Sequence, residues 1–232
     1  MRNTFFSLLA ATVSFWSWSA SAEGETERFK EAEWDWHPGD LIFRNDINEF
    51  DELVRRADGA KWASVGILRS SSGGPRVLYV DEKAGVTEAM LYEFVDGLKS
   101  DDYAVYRIED VDPNEPDKLM VQGPLASYAV LSAYGAPVDN HLLFGNGSYY
   151  NAELPFEAAL SAGISLGSPR PIEELASVDE DLRTALLTRL QDHPYCVVAL
   201  APDNCWDVLK SISIATPSVL MASDHVRQVF PI

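Results

Sequence analysis

Nucleophiles and bases are scarce in this chain, and their spacing limits the chemistry that they could support. Two cysteines and four histidines are present. Only His193 and Cys196 lie close enough in sequence to act as a thiolate–imidazole pair or as two ligands of a metal. Two residues define neither kind of site, and a histidine at the entrance of a strand is the ordinary explanation. The other residues of these types are dispersed: Cys205, His37, His141 and His225.

A second candidate is the G-x-S-x-G pattern at residues 163–167, which is typical of a serine-hydrolase nucleophile elbow. Such an elbow needs a strand before the serine and a helix after it. Here a helical run precedes Ser165 and Pro169 follows closely, so the glycines are predicted to end a helix instead. The sequence contains no zinc-protease, phosphate-loop or dinucleotide motif. We therefore expect no metal and no cofactor.

The N-terminal residues predict export. Arg2 precedes an apolar stretch over residues 5–18, and residues 20–22 (ASA) are typical of a signal-peptidase site. The stretch is shorter than the roughly 20 residues that cross a bilayer. We therefore expect a signal peptide over residues 1–22, cleaved after Ala22, and a periplasmic or secreted protein without stable membrane insertion. Residues 23–38 form an acidic lead-in, and residues 39–232 form a single domain.

Charge and export restrict the partners and the state of the cysteines. The formal net charge of -18 at pH 7 argues against nucleic acid and against anionic membrane surfaces. An even number of cysteines in an oxidising compartment favours a structural disulfide between Cys196 and Cys205. Two buried free thiols are the alternative that the sequence leaves open.

The elements that must position these residues are strands early in the chain and helices later. Apolar and β-branched runs predict strands at residues 39–44, 62–69, 76–81, 103–108 and 196–200. A helix capped by Asn45 follows the first strand, and apolar spacing predicts helices at 119–134 and 152–162. Ser177 and Glu180 form a capping box that opens another helix. Because strands and helices do not alternate regularly, we predict an α+β fold, a small antiparallel sheet packed by helices.

Five segments occur in an order that is typical of one enzyme family. They are residues 39–43 (GDLIF), 63–67 (ASVGI), 78–81 (LYVD), 102–107 (DYAVYR) and 149–154 (YYNAEL). In this order they resemble the YiiX/YebB-like branch of the NlpC superfamily, which consists of circularly permuted papain-like cysteine hydrolases. The resemblance implies a permuted papain-like domain. It also implies a cysteine thiolate nucleophile, a histidine base and an acidic residue that orients the histidine.

The same resemblance implies that the catalytic positions are substituted. The histidine position falls on Ser64, the cysteine position on Asn151 and the acidic position on Asp81. Serine does not titrate near neutral pH as imidazole does, and an amide is not a nucleophile. Both substitutes also suit structural roles, Ser64 as a small residue on a buried strand and Asn151 as a helix N-cap. The family serine after the cysteine is Ala152, whereas Glu153 is retained.

The function implied by the resemblance is that of an exported, catalytically degenerate relative. Ser64, Asp81, Asn151 and Glu153 would line a vestigial cleft that binds a cell-wall peptide or an acyl ligand. One alternative is an active amide or ester hydrolase whose displaced nucleophile is Cys196 or Cys205. The other is an acidic subunit that docks a basic protein partner.

Overall fold

A six-stranded antiparallel sheet organises the fold. The computed structural model describes residues 32–111, 122–196 and 202–231. In chain order the strands are β1 (Leu41–Arg44), β2 (Ser64–Arg69), β3 (Arg76–Asp81), β4 (Gly85–Met90), β5 (Tyr103–Ile108), β6 (Arg170–Pro171), β7 (Ser213–Ile214) and β8 (Val226–Phe230). The main sheet has the order β4-β3-β2-β1-β5-β8, and β6 pairs with β7 in a separate ribbon. The predicted α+β class, with an antiparallel sheet packed by helices, is confirmed.

Helices follow and cover the sheet. They are α1 (Glu49–Asp58), α2 (Leu91–Phe94), α3 (Gly123–Tyr128), α4 (Glu153–Ser161), α5 (Ile172–Ala176), α6 (Glu180–Arg189), α7 (Pro202–Leu209) and α8 (Pro217–Met221). A π-helical turn, Ala129–Ala133, continues α3, and Glu109–Val111 and Pro194–Cys196 are 3-10 turns. Among the described residues, no helix is both long enough and apolar enough to cross a bilayer.

The sheet is buried on both faces. Leu41, Ile42 and Phe43 at its centre are all 0% exposed, although neighbouring side chains of a strand point to opposite faces. One face packs against α3, the π-helical turn and α4. The other packs against α2 and against Trp34, whose ring stacks on Phe230 at 5.1 Å between centroids. A further apolar cluster joins α1, α5 and α6.

Two predicted helix caps are wrong. The first residue of α1 follows Asn48, while the side chain of Asn45 accepts from the Ala63 N–H at 2.8 Å and so holds the entrance of β2. The N-cap of α6 is Asp179, whose carboxylate accepts from the Leu182 N–H at 3.0 Å. In both places the nearer Asx residue has the extended backbone that an N-cap requires.

Other predicted elements are shifted or lie partly outside the described residues. The helix predicted at 119–134 begins at Gly123, and residues 112–121 are outside the description. The strand predicted at 196–200 is wrong at Cys196, which ends a 3-10 turn, and its other residues are not described. The predicted signal peptide, residues 1–22, also lies outside the described residues.

Candidate functional site

Asn151 and Ser64 are neighbours in the fold. Asn151, in the turn before α4, accepts from the Val65 N–H at 2.8 Å through Oδ1 and donates to the Ala63 carbonyl at 2.6 Å through Nδ2. Ser64 lies between these two backbone groups. β1 pairs with one edge of β2 from Ser64, whereas β3 pairs with the other edge only from Ile67 onward, so the Asn151 amide takes the place of β3 at the start of β2. The predicted N-cap role of Asn151 is therefore wrong, since α4 begins after Ala152 and the amide is bound to β2.

The Ser64 hydroxyl donates to a buried carboxylate that the sequence pattern did not single out. Ser64 Oγ lies 2.9 Å from Oδ2 of Asp51 in α1, and Asn48 Nδ2 lies 2.7 Å from the same oxygen. Asn48 Nδ2 also donates to the Val80 carbonyl at 3.0 Å, and Asn48 Oδ1 accepts from the Glu82 N–H at 3.2 Å. Asn48 thus ties the start of α1 to the end of β3 and holds Asp51 beside Ser64.

A signal for Asp51 was present in the sequence. Asp51, Val54 and Asp58 recur at helical spacing on one face of α1, and Ile47, just before the helix, continues the same spacing. An acid on an apolar helical face is buried on folding and needs partners. Asp58 meets that need with Arg170 and with the hydroxyls of residues 216 and 218. Asp51 meets it with Asn48 and Ser64.

Burial dominates the titration of Asp51. It raises the pKa of Asp51 to about 7, although the hydrogen bonds from Asn48 and Ser64 lower it. Arg189 lowers the pKa further and Glu82 raises it. A carboxyl group with a pKa near neutrality beside a hydroxyl resembles a base–nucleophile pair. Ser64 is only 2% exposed, however, so its oxygen does not reach a substrate in this conformation.

Asp81 and Glu153, the other two predicted site residues, do not contact Ser64 or Asp51. Asp81 Oδ1 accepts from the N–H groups of Lys83 at 2.9 Å and Ala84 at 2.8 Å, in the turn that Gly85 completes with a φ of 73°. Glu153 is 0% exposed, and its Oε2 accepts from the Tyr150 N–H at 3.1 Å. Burial raises the pKa of Glu153 to about 9. The two acids therefore stabilise a turn and a helix start, and neither side chain meets the Ser64–Asp51 pair.

A groove opens beside Asn151. Its walls come from α1, from the segment before α4 and from residues 214–217. The space that it encloses is about 10 Å³, room for about one water molecule. Because pockets for drug-sized ligands hold roughly 300–1,000 Å³, a ligand bound here would lie mostly outside the groove. The residues that matter for its chemistry are Phe50, Asp51, Val54, Leu142, Tyr150 and Asn151.

The cysteines and His193 have structural roles. Cys196 and Cys205 form a disulfide with their Cα atoms 5.0 Å apart, the pairing that the sequence favoured. His193 is 0% exposed and accepts from the Tyr195 N–H at Nδ1, 3.1 Å away. Nε2 must then carry the proton and donate to the His141 carbonyl at 3.1 Å. Burial lowers the pKa of His193, and both ring nitrogens are engaged. The alternative of a His193–Cys196 couple is therefore wrong.

Residues 163–167 form no nucleophile elbow. They follow α4, and Gly163, with a φ of 82°, donates its N–H to the Leu160 carbonyl at 2.9 Å. The glycine therefore ends the helix, as predicted. Ser165 Oγ donates to the Gly167 carbonyl at 3.2 Å, in a loop.

Comparison with known proteins gives a shared fold. No protein-family model matches the chain, and no curated protein matches it. The crystal structure of the metalloprotein YiiX from Escherichia coli O157:H7, DUF1105, is similar to this chain with a TM-score of 0.66. The sequence identity is 16%, and the match covers 86% of this chain and 99% of that one. At this identity the likeness shows a YiiX-like fold and no more.

The description of YiiX as a metalloprotein raises the question of a metal here. Within residues 32–111, 122–196 and 202–231, no three His, Cys, Asp or Glu side chains converge as a metal site requires. The His193 nitrogens are engaged and both cysteines are bonded to each other. The described residues therefore do not fit a resident metal.

Proposed function

We propose that this protein is a non-catalytic relative of the permuted papain-like cysteine hydrolases, which binds a cell-wall peptide or an acyl ligand in the groove beside Asn151. The observation that carries the proposal is the double hydrogen bond of Asn151 to the backbone on both sides of Ser64. The residues at the implied cysteine and histidine positions are adjacent, which a catalytic dyad would need. Neither residue supplies a thiol or an imidazole.

The state of the other possible nucleophiles, the two cysteines and Ser64, also supports the proposal. Both cysteines of the chain are in one disulfide, so the oxidised protein has no thiolate to act as a displaced nucleophile. Ser64 is paired with a carboxylate but is buried. The disulfide suits an oxidising compartment, in line with export to the periplasm or beyond.

The direct test is to restore the missing groups and measure thiol reactivity. We expect the oxidised wild-type protein to gain no mass with iodoacetamide near neutral pH. The double variant Ser64→His/Asn151→Cys should gain one label, and faster than Asn151→Cys alone, because an adjacent imidazole lowers the pKa of the thiol. Circular dichroism of each variant checks the fold. Equal labelling rates in the folded single and double variants would contradict the assignment of the two positions.

Turnover and association distinguish the two alternatives. A displaced hydrolase would cleave amide or ester substrates and label at one cysteine without reduction. An acidic subunit, favoured by the net charge of -18, would bind a basic protein with an affinity that falls steeply with salt. The proposed binding protein should instead be stabilised by its ligand without turnover.

A further inference from the structure

An exposed turn before Asn151 contains the one asparagine of the chain that is followed by a glycine, Asn146. Gly147 has a φ of 79°, and beyond its chain neighbours no heavy atom lies within 4 Å of the position that a Cβ would take. Gly145, on the other side, has a φ of 70° and the same open surroundings. The backbone on both sides of Asn146 can therefore rotate without meeting the rest of the protein.

The side-chain amide of Asn146 is polarised by the turn itself. Its Oδ1 accepts from the Ser148 N–H at 2.8 Å, which closes an Asx turn. This donor stabilises the negative charge that develops on Oδ1 when a nucleophile attacks Cγ. Within the described residues, the N–H of Gly147 donates to no group. The turn thus places an unengaged backbone nitrogen next in the chain to a polarised amide carbon.

We infer that Asn146 is a site of spontaneous deamidation, in which the backbone nitrogen of Gly147 attacks Cγ of Asn146. The bond from this nitrogen to Cγ forms, and the bond from Cγ to Nδ2 breaks. Nδ2 leaves as ammonia with the proton of the Gly147 N–H, and a succinimide ring remains. Water then opens the ring at one of its two carbonyl carbons. Opening at Cγ gives aspartate, and opening at the main-chain carbonyl carbon gives isoaspartate.

Other asparagines lack this combination. Asn140 is exposed as Asn146 is, but the next N–H in the chain, that of His141, donates to Asp139 Oδ1 at 2.7 Å. The His141 side chain also hinders the approach of that nitrogen, which a glycine does not. Asn151 is 6% exposed, and both ends of its amide are hydrogen-bonded to the backbone. Asn140 is therefore a matched control within the same molecule.

The modification weakens the contact between this turn and α4. The Gly145 N–H donates to Glu157 Oε1 at 2.5 Å, and the ring of Phe144 lies 5.2 Å from that of Phe156 between centroids. Isoaspartate at residue 146 adds one carbon to the main chain and a carboxylate one residue away from the hydrogen bond to Glu157. The longer chain displaces Gly145, and the two carboxylates repel each other.

The test is incubation of the folded, oxidised protein at mildly alkaline pH, followed by fragment mass spectrometry that separates residues 140 and 146. Residue 146 should gain the mass difference between an amide and a carboxylic acid at least about tenfold faster than residue 140. A protein isoaspartyl methyltransferase should methylate the aged protein and not the fresh protein. Hydrogen exchange at the Gly145 N–H should become faster as the modification accumulates.

Variants separate the ring closure from the added charge. Asn146→Gln keeps an amide but must close a larger ring, and Gly147→Ala places a Cβ beside the attacking nitrogen. Each should react at least about tenfold more slowly than wild type. Freshly prepared Asn146→Asp carries the new charge on an unchanged main chain. Its Gly145 N–H should exchange more slowly than that of the aged wild type, because the added main-chain carbon is absent.

Two results would overturn the inference. One is conversion of Asn140 as fast as that of Asn146 in the folded protein, because the glycine and the open turn would then confer nothing. The other is an unchanged residue 146 in the folded protein under conditions in which the urea-unfolded chain converts it, because the native turn would then protect the asparagine. Neither result bears on ligand binding in the groove.

Discussion

Asp51 and Glu153 are two buried acids near Asn151, and they differ in what surrounds them. Asp51 is 7% exposed, receives two side-chain donors on one oxygen and has a pKa of about 7. Glu153 is 0% exposed, receives one backbone donor and has a pKa of about 9. Asp139 and Glu157 raise the pKa of Glu153 further by their charge.

The difference shows that a raised pKa alone does not identify a functional acid. In both residues burial is the first cause of the shift, because it disfavours the charged form. Of the two, only Asp51 combines the shift with a place among the residues that line a groove. Glu153 carries the larger shift and is sealed inside the start of α4, where it affects stability rather than binding.

The largest expected effect comes from removing the titration of Glu153. A carboxyl whose pKa rises from 4.5 to about 9 on folding holds its proton more tightly in the folded state, so stability falls as pH rises through that window. At about 1.4 kcal/mol per pKa unit, the loss reaches about 6 kcal/mol by about pH 9. The Glu153→Gln variant has an amide at this position, which does not titrate. Its free energy of unfolding relative to wild type should therefore rise steadily from about pH 5 to about pH 9.

Urea denaturation at several pH values measures this trend. Glu173→Gln is the matched control, because Glu173 is exposed in the first turn of α5. It should change stability by less than about 0.5 kcal/mol at every pH. Parallel pH profiles of wild type and Glu153→Gln would mean that Glu153 is ionised in the folded protein.

The pH-dependent loss of stability caused by Asp51 should be smaller than that caused by Glu153 and should be complete at a lower pH. The pKa rises from 3.8 to about 7, so the wild-type loss is about 4 kcal/mol and is complete near pH 7. Asp51→Asn keeps an acceptor for Asn48 and Ser64. Its stability relative to wild type should increase between about pH 4 and pH 7 and then remain level. A gain that continues to pH 9 would show that Asp51 is as isolated from solvent as Glu153.

Removing the amide of Asn151 should destabilise the protein without a trend in pH. Asn151→Ala leaves the Val65 N–H and the Ala63 carbonyl unpaired in a buried place, which costs about 3 kcal/mol for the two groups together. An equal loss of stability at about pH 5 and about pH 8 is expected, because an amide does not titrate as the two acids do. Asn146→Ala, in an exposed turn, is the control and should cost less than about 1 kcal/mol. A loss at residue 151 no larger than this control would contradict the pairing with β2.

The strands that could be predicted from the sequence are those whose own residues show a pattern typical of a buried strand. Residues of β1, β2, β3 and β5 are apolar or β-branched runs, and all four strands were predicted within two residues. The strand β4 (GVTEAM) has weak β propensity and is defined by its pairing with β3, from Arg76–Met90 to Asp81–Gly85. The strand β8 pairs with β5 across more than a hundred residues of chain, which local patterns do not show.

The residues of the site also fall into a group that the sequence predicted and a group that it did not. The order of motifs selected Ser64 and Asn151, and the fold brings them together. Asp51 and Asn48 were missed because their partners, Ser64 and Val80, belong to other elements. An acid in an acidic helix such as EFDELVRRAD is by default a solvated residue, so the helical spacing of Asp51 with Val54 is a weak signal, and the hydrogen bond from Ser64 of β2 could not be predicted from it.

The smallest expected effect concerns Asp179, a partly exposed acid that, unlike Asp51 and Glu153, caps a helix. Its carboxylate accepts from the Leu182 N–H and lies 3.4 Å from Arg56, so Asp179→Ala should cost about 1 kcal/mol. Asp179→Asn keeps the cap and should recover most of that loss, because exposed ion pairs add little. Ser177→Ala, at the cap that the sequence predicted, should cost less than about 0.5 kcal/mol. A larger loss for Ser177→Ala than for Asp179→Ala in urea denaturation would restore the predicted capping box.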